Sequence, residues 1–185
     1  MAKIFVFRHS QTTDNKDKIF SGWRNPDLSE EGVKESEKIR DSLANEKPTK
    51  AYCSDQLRSI HTLQIVLEPH KNVEVFEDPR IKERNYGELT GKSKVEEEEK
   101  NPTQYKIWHR SYDVPPPEGE SIEMVGKRVI PFIEDLKKNL KPNDVVFISA
   151  SANSIRPMRK YFENLTNDQT VGYEYTPAQI FKYEV

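Results

Sequence analysis

The sequence predicts an α/β fold, a three-layer α/β/α sandwich built on a mainly parallel sheet. Two observations carry that expectation. Short apolar runs alternate with longer amphipathic ones along the chain, and strands separated by helices pair in parallel. The runs within Lys3–Phe7 and Asp144–Ala150 are almost continuously apolar, as strands covered on both faces are. With 185 residues, no repeat and no low-complexity linker, a single domain over residues 1–185 is expected.

The elements follow in order. Lys3–Phe7 reads as a strand. Ser29–Asn45 reads as a helix: Ser29 is a good N-cap, Val33, Ser36, Ile39 and Leu43 mark one face, and Pro48 ends it. Lys50–Cys53 is a short strand, after which Ser54 is expected to cap a helix reaching Leu67. Val73–Phe76 is a strand that empties into a loop holding Arg80 to Gly91. Lys92–Lys100 is charged and helical, with Glu96 to Glu99 as a solvated face. Asn101–Pro117 reads as irregular, stiffened by Pro115-Pro116-Pro117. Ser121 caps a long helix with Val125, Val129, Phe132, Leu136 and Leu140 inward. Asp144–Ala150 is a strand, and Ile155–Asn164 a helix with Pro157 in its first turn. Gln179–Val185 reads as a last strand at a sheet edge.

Composition narrows the function classes. Hydrophobic residues make up 34% and charged residues 32%, the balance of a chain with a well-solvated surface. The net charge of −2 gives no global attraction to nucleic acid. No apolar run is long enough to span a bilayer, and the N-terminus enters a strand with no signal-peptide pattern. The one cysteine, Cys53, excludes an internal disulfide and a multi-thiolate metal site. A cytoplasmic protein with no membrane or nucleic-acid partner is expected; the sequence leaves oligomeric state open.

The basic residues fall at strand ends, where open α/β sheets bind ligands. Arg8 and His9 follow the first strand, Arg58 the second, and Arg156 the strand that ends at Ala150. Any one of these arginines alone reads as a surface salt bridge. Three at corresponding strand ends beside a histidine favour an anion pocket, since guanidinium forks match phosphate oxygens. His9 has three readings: a core histidine, a metal ligand, or a nucleophile. No spacing nearby supplies further His or Cys ligands, and the Arg8-His9 pairing favours the nucleophile. His61, His70 and His109 lack such context and read as structural or exposed, with His109 the one to watch.

The motif Arg8-His9-Ser10-Gln11-Thr12-Thr13-Asp14-Asn15, followed by Phe20-Ser21-Gly22-Trp23, resembles the Arg-His-Gly signature of the histidine phosphatase superfamily, in the longer form of its phosphoglycerate mutase branch. So does Ile81-Lys82-Glu83-Arg84-Asn85-Tyr86-Gly87-Glu88-Leu89-Thr90-Gly91, and so does Trp108-His109-Arg110-Ser111-Tyr112-Asp113-Val114-Pro115-Pro116-Pro117. The resemblance implies a phosphoglycerate mutase-like fold, with His9 as a phosphoryl-carrying nucleophile and Arg8 and Arg58 around the phosphoryl group. It implies Glu83 as general acid/base; read without it, Glu83 is a loop carboxylate pairing with Arg84. It implies Asn15, Ser21, Gly22, Arg84, Tyr86, Lys94, Arg110 and Asn153 as substrate-binding residues; the plain alternative for the 108–117 stretch is a rigid loop covering a core. The substrate would be a small phosphorylated carboxylic acid. The primer would be 2,3-bisphosphoglycerate, with no metal.

Two departures stand out. The family has glycine where this chain has Ser10, and a side chain there is expected to crowd the ligand. The family's second signature, His-Gly-Asn-Ser-(Leu/Ile)-Arg, is here Ser151-Ala152-Asn153-Ser154-Ile155-Arg156, so Ser151 stands in the place of the second catalytic histidine. The shortened stretch after Pro117 and the short C-terminal tail predict a site less shielded from water. Three functions are therefore weighed. The first is interconversion of 3- and 2-phosphoglycerate in glycolysis and gluconeogenesis through phospho-His9, slowed by the altered motif. The second is a phosphatase acting on a small phosphorylated metabolite. The third is a phosphate-ligand binding protein with little turnover.

Overall fold

The computed structural model describes residues 1–185, with the side chain of Arg110 outside the described set. Five strands, β1 (Lys3–Arg8), β2 (Lys50–Cys53), β3 (Glu74–Glu77), β4 (Val145–Ala150) and β5 (Ile180–Glu184), form one sheet in the order β3-β2-β4-β1-β5. The first four run parallel, and β5 closes one edge antiparallel to β1. Eight helices connect them: α1 (Thr13–Lys16), α2 (Glu30–Leu43), α3 (Leu57–Leu67), α4 (Lys94–Lys100), α5 (Pro102–Arg110), α6 (Ile122–Lys138), α7 (Ala152–Glu163) and α8 (Asn167–Gly172).

Strand side chains alternate between the two faces, which explains the three layers. Phe5, Phe7, Ala51, Cys53 and Phe147 pack against Ile39 and Leu43 of α2 and Leu63 and Val66 of α3. Ile4, Val6, Val146, Ile148 and Ala150 pack against Val125, Val129, Phe132 and Ile133 of α6 and Ile155 and Met158 of α7. Both faces of β1 and β4 are covered, so both strands read as unbroken apolar runs. At the opposite end from the site, Ala2 and Val185 exchange both backbone hydrogen bonds, at 2.8 and 3.0 Å. This clamps the last strand to the first.

The caps of α2 and α6 match the sequence: Ser29 Oγ accepts from Gly32 N at 3.1 Å, and Ser121 Oγ from Met124 N at 3.1 Å. Several elements differ. Helix α3 begins at Leu57 with Gln56 in the cap position, so Ser54 is not its cap; the Ser54 amide donates to Ser59 Oγ instead. Asn101–Pro117 is not irregular throughout. Asn101 Oδ1 accepts from Gln104 N at 3.3 Å and Pro102 takes the first helical position, so the Asn-Pro pair starts α5 rather than breaking the chain. Helix α7 begins at Ala152, three residues before the expected start, which leaves Pro157 inside the helix rather than in its first turn. Leu140 lies past the end of α6. Helices α1 and α8, each opened by a threonine capping box, have no counterpart in the sequence reading.

This topology fixes the site. Strands β1 and β2 flank β4, so their carboxyl ends deliver Arg8-His9, Ser54–Arg58 and the start of α7 to one crevice. The His9 amide donates to Ala150 O at 2.9 Å, which holds the β1 and β4 exits together.

Candidate active site

His9 is buried at 4% exposure and lines a cleft of about 220 Å³. Its Nδ1 lies 2.8 Å from Ser10 O. A carbonyl oxygen only accepts, so Nδ1 carries the proton and Nε2 keeps a free lone pair. Burial first, then the charges of Arg58 and Arg8, hold the His9 pKa well below 6.5; the bond to Ser10 O pulls the other way. The imidazole is therefore neutral and nucleophilic at pH 7.

The expectation that Ser10 crowds the ligand is corrected by its orientation. Ser10 Oγ shares a 2.7 Å hydrogen bond with Ser36 Oγ of α2, and the Ser10 amide donates to Thr62 Oγ1 at 3.0 Å. The hydroxyl is satisfied inside the protein and does not line the cleft.

Arg8, Arg58, Lys94 and Arg156 also line the cleft. Arg58 is 1% exposed and is aimed by two carbonyls, donating from Nη2 to Gly22 O and from Nη1 to Arg24 O, both at 2.9 Å. Gly22 sits at φ +50, where an added Cβ would lie 3.1 Å from Thr90 Oγ1, so glycine suits this turn. Burial lowers the Arg58 pKa while Glu83 and Asp14 oppose it. Four buried donors at or beside the cleft, Arg8 Nε, Arg58 Nε, Ser21 Oγ and Ser151 Oγ, have no hydrogen-bond partner among the described residues. Unsatisfied buried donors are costly. Those around the His9 cleft are the kind of group a bound anion satisfies, so the residues present fit a phosphorylated ligand. Among the described residues no cluster of three His, Cys, Asp or Glu side chains is placed to hold a metal.

Glu83 is buried at 7% exposure and reaches the same cleft. Its backbone is held three ways: the amide donates to Gln56 Oε1, and the carbonyl accepts from Trp23 Nε1 and Arg128 Nη2, each at 2.9 Å. Its Oε1 accepts from Arg84 N at 2.6 Å, which leaves Oε2 for chemistry. Tyr86 lines the cleft and accepts from Asn153 Nδ2 at 3.0 Å, keeping its own hydroxyl proton to offer. Burial and then Glu83 raise its pKa.

Of the residues singled out in the sequence, Arg8, His9, Asn15, Ser21, Gly22, Arg58, Glu83, Tyr86, Lys94 and Asn153 come together around this cleft. Arg84 does not line it. Arg84 is fully buried behind Tyr86, donating to Glu120 O and Trp108 O, with its guanidinium carbon 5.1 Å from the Tyr86 ring. Ser151 is fully buried beside the cleft and does not line it, although its neighbour Ala152 does. Arg110 closes α5, and its side chain lies outside the described residues. Arg156 spends Nη1 on Thr170 O and Val171 O at 2.8 and 3.0 Å and Nε on Asn153 Oδ1 at 3.2 Å, so it ties the chain together as well as lining the cleft.

Sequence reasoning missed Gln56, which donates to Gly22 O at 3.1 Å while accepting from Glu83 N, and so couples the glycine turn to the acid/base candidate. Its position two residues before Arg58 was the only signal. Glu174 and His109 also line the cleft. His109 packs edge-on to Phe20 at 6.1 Å, so it belongs to the site after all.

A family model described as the histidine phosphatase superfamily (branch 1) matches residues 4–185. The 2,3-bisphosphoglycerate-dependent phosphoglycerate mutase of Parvibaculum lavamentivorans is 33% identical over 188 residues, covering 98% of this chain and 90% of that one. The phosphoglycerate mutase of Schizosaccharomyces pombe is 36% identical over 177 residues, covering 92% and 84%. Among solved structures, Bacillus stearothermophilus YhfR superimposes with a TM-score of 0.91 at 19% identity, covering 100% of this chain and 92% of that one. A mycobacterial glucosyl-3-phosphoglycerate phosphatase superimposes with a TM-score of 0.87 at 21% identity, covering 97% and 88%. At those identities the structural likeness speaks for the fold alone.

Proposed function

Because the chain belongs to the histidine phosphatase superfamily and has phosphoglycerate mutases among its relatives, it is an enzyme of the mutase/phosphatase type, and we propose that it interconverts 3- and 2-phosphoglycerate through a phosphohistidine on His9. The observation that carries this reading is the state of His9: Nδ1 committed to Ser10 O, Nε2 free, and a pKa held low by burial and two arginines. That is a nucleophile ready at neutral pH without a separate base.

His9 Nε2 attacks phosphorus in line. The N–P bond forms as the P–O bond breaks, and Glu83 gives a proton to the departing oxygen. In the return step Glu83 takes the proton from the attacking hydroxyl and the N–P bond breaks. Arg8 and Arg58 hold the phosphoryl oxygens, since this chemistry is mostly positioning and charge stabilisation. Lys94 serves the far end of the acid. Bound 2,3-bisphosphoglycerate supplies the priming phosphoryl group. Ser151 is fully buried beside the cleft and puts no donor into it where the family signature has an imidazole, so turnover is slow relative to a chain with the full signature. Residues 1–185 work as one unit in the cytoplasm, in glycolysis and gluconeogenesis.

Intact-mass analysis after incubation with 2,3-bisphosphoglycerate tests the proposal. An acid-labile, alkali-stable phosphoryl adduct is expected on the native chain and not on His9→Ala. No adduct on the native chain, or an equal one on His9→Ala, overturns it. Inorganic phosphate released in place of 2-phosphoglycerate would assign a phosphatase instead.

A further inference from the structure

Glu83 sits on a stretch that neither a helix nor a strand holds. Residues 82–86 run between two short helical turns, Pro79–Ile81 and Gly87–Leu89. One ion pair grips their backbone instead. Arg128 of α6 spends all five guanidinium N–H groups. Nη1 donates to Arg80 O at 2.7 Å and to Lys82 O at 2.9 Å, and Nη2 donates to Glu83 O at 2.9 Å. The remaining two bonds, from Nε at 2.9 Å and from Nη2 at 3.0 Å, take both carboxylate oxygens of Glu120. Glu120 in turn holds the far side of the stretch: its Oε2 accepts from Asn85 N and its amide donates to Asn85 O, both at 2.8 Å. Both side chains of the pair are more than four-fifths buried. Arg128 does not line the cleft, so it meets the chemistry through Glu83.

We propose that Arg128, locked by Glu120, is a positioning residue that sets Glu83 for proton transfer. The inference rests on the reading that Glu83 is the general acid/base. Three carbonyls and one carboxylate converge on a single planar fork, so the guanidinium geometry fixes where the Glu83 backbone lies. The Glu83 Oε1 is tied to the next amide, Arg84 N, so a shift of this backbone carries the carboxyl with it. Proton transfer needs that carboxyl within hydrogen-bond reach of the departing oxygen. A misplacement of about 1 Å can cost about 10² in rate. A lysine here would keep the charge, but its three donors sit on one atom and cannot make bonds on both sides of a fork.

Two phosphoryl donors separate positioning from general support of the fold. With 2,3-bisphosphoglycerate the oxygen that leaves phosphorus is an alkoxide and needs a proton. With acetyl phosphate it is acetate, a weak base that departs with the P–O electron pair and needs none. The same N–P bond to His9 Nε2 forms in both cases. Single-turnover phosphorylation of His9 in the full chain therefore gives a ratio, the rate with 2,3-bisphosphoglycerate over the rate with acetyl phosphate. Arg128→Lys should lower that ratio by about 10- to 100-fold. Glu120→Gln keeps an acceptor for Asn85 N and loosens the grip on Arg128, so it should lower the ratio by less. Glu83→Gln is the reference and should lower it most. An equal loss with both donors, no loss in Arg128→Lys, or unfolding of both the Arg128 and Glu120 variants by circular dichroism would make the pair a support of the fold and overturn the inference. An unlowered ratio in Glu83→Gln would remove Glu83 as the acid, and the inference with it. A lowered ratio in Glu83→Gln but not in Arg128→Lys would remove the inference alone. A native chain that neither donor phosphorylates would remove both.

Discussion

In the proposed mechanism, replacing Glu83 by glutamine removes a proton carrier and changes little else. The backbone contacts to Gln56, Trp23 and Arg128 do not involve the side chain. The Arg84 amide that bonds Glu83 Oε1 at 2.6 Å can bond the glutamine oxygen as well. That bond is kept, so the fold should remain intact. The rate should fall by about 10²–10⁴, the usual contribution of positioned general acid–base catalysis. Single-turnover phosphorylation of His9 isolates the first chemical step, and steady-state conversion of 3-phosphoglycerate gives the cycle. Affinity for inorganic phosphate should change little, because the arginine donors are untouched. Glu83→Asp keeps the proton but shortens the reach and should recover part of the rate. An unchanged kcat in Glu83→Gln would refute the assignment and make His109, which lines the same cleft, the next group to test.

Three further outcomes are expected. Restoring the family signature with Ser151→His and Ala152→Gly should speed single-turnover phosphorylation by roughly 10²–10³, the value of one preorganised donor at developing charge; equal rates would mean that the native chain already has that donor. Ala178 has φ +55, a left-handed conformation that costs a non-glycine residue about 1–2 kcal/mol. Ala178→Gly relieves this and returns part of it as unfolded-chain entropy, so thermal denaturation should show a net gain of about 0.5–1 kcal/mol; a lower Tm would contradict it. The folded His9 resists protonation while the unfolded one titrates near 6.5, so below that pH the unfolded state binds more protons and stability should fall on acidification. His9→Asn should flatten that slope in denaturant titrations between about pH 5 and 6.5, the stretch just below the ordinary histidine pKa.

Much of the sheet was legible because its signals are local. Buried parallel strands announce themselves as apolar runs, and Ser29 and Ser121 stand where N-caps should. Helix α5 was missed because Asn-Pro both breaks and starts helices, and only the bond from Gln104 N to Asn101 Oδ1 decides which. The cleft was legible as a set of strand-end residues, but side-chain direction was not. Arg84 and Arg58 are the same residue type at comparable burial, yet Arg58 opens into the cleft while Arg84 turns to the carbonyls of Glu120 and Trp108. Ser10 reads as an obstruction until Ser36, 26 residues on, is seen to take its hydroxyl. Gln56 was invisible for the same reason: it matters through Gly22 and Glu83, each far along the chain from it.

Strand β1, which carries Arg8 and leads into His9, is the first strand made and the last paired. Both its neighbours come from late in the chain: β4 from residues 145–150 and β5 from residues 180–184, with Ala2 clamped to Val185. During synthesis β1 has no strand to pair with until β4 has emerged, and its other edge stays open until β5 follows. At roughly 5–20 residues per second, the stretch between them passes for seconds with β1 exposed as an apolar edge. The β1–β4–β5 arrangement therefore delays completion of the cleft around His9 until residues 180–184 have been made. It also makes the pairing of β5 with β1 a checkpoint for assembly of the sheet edge.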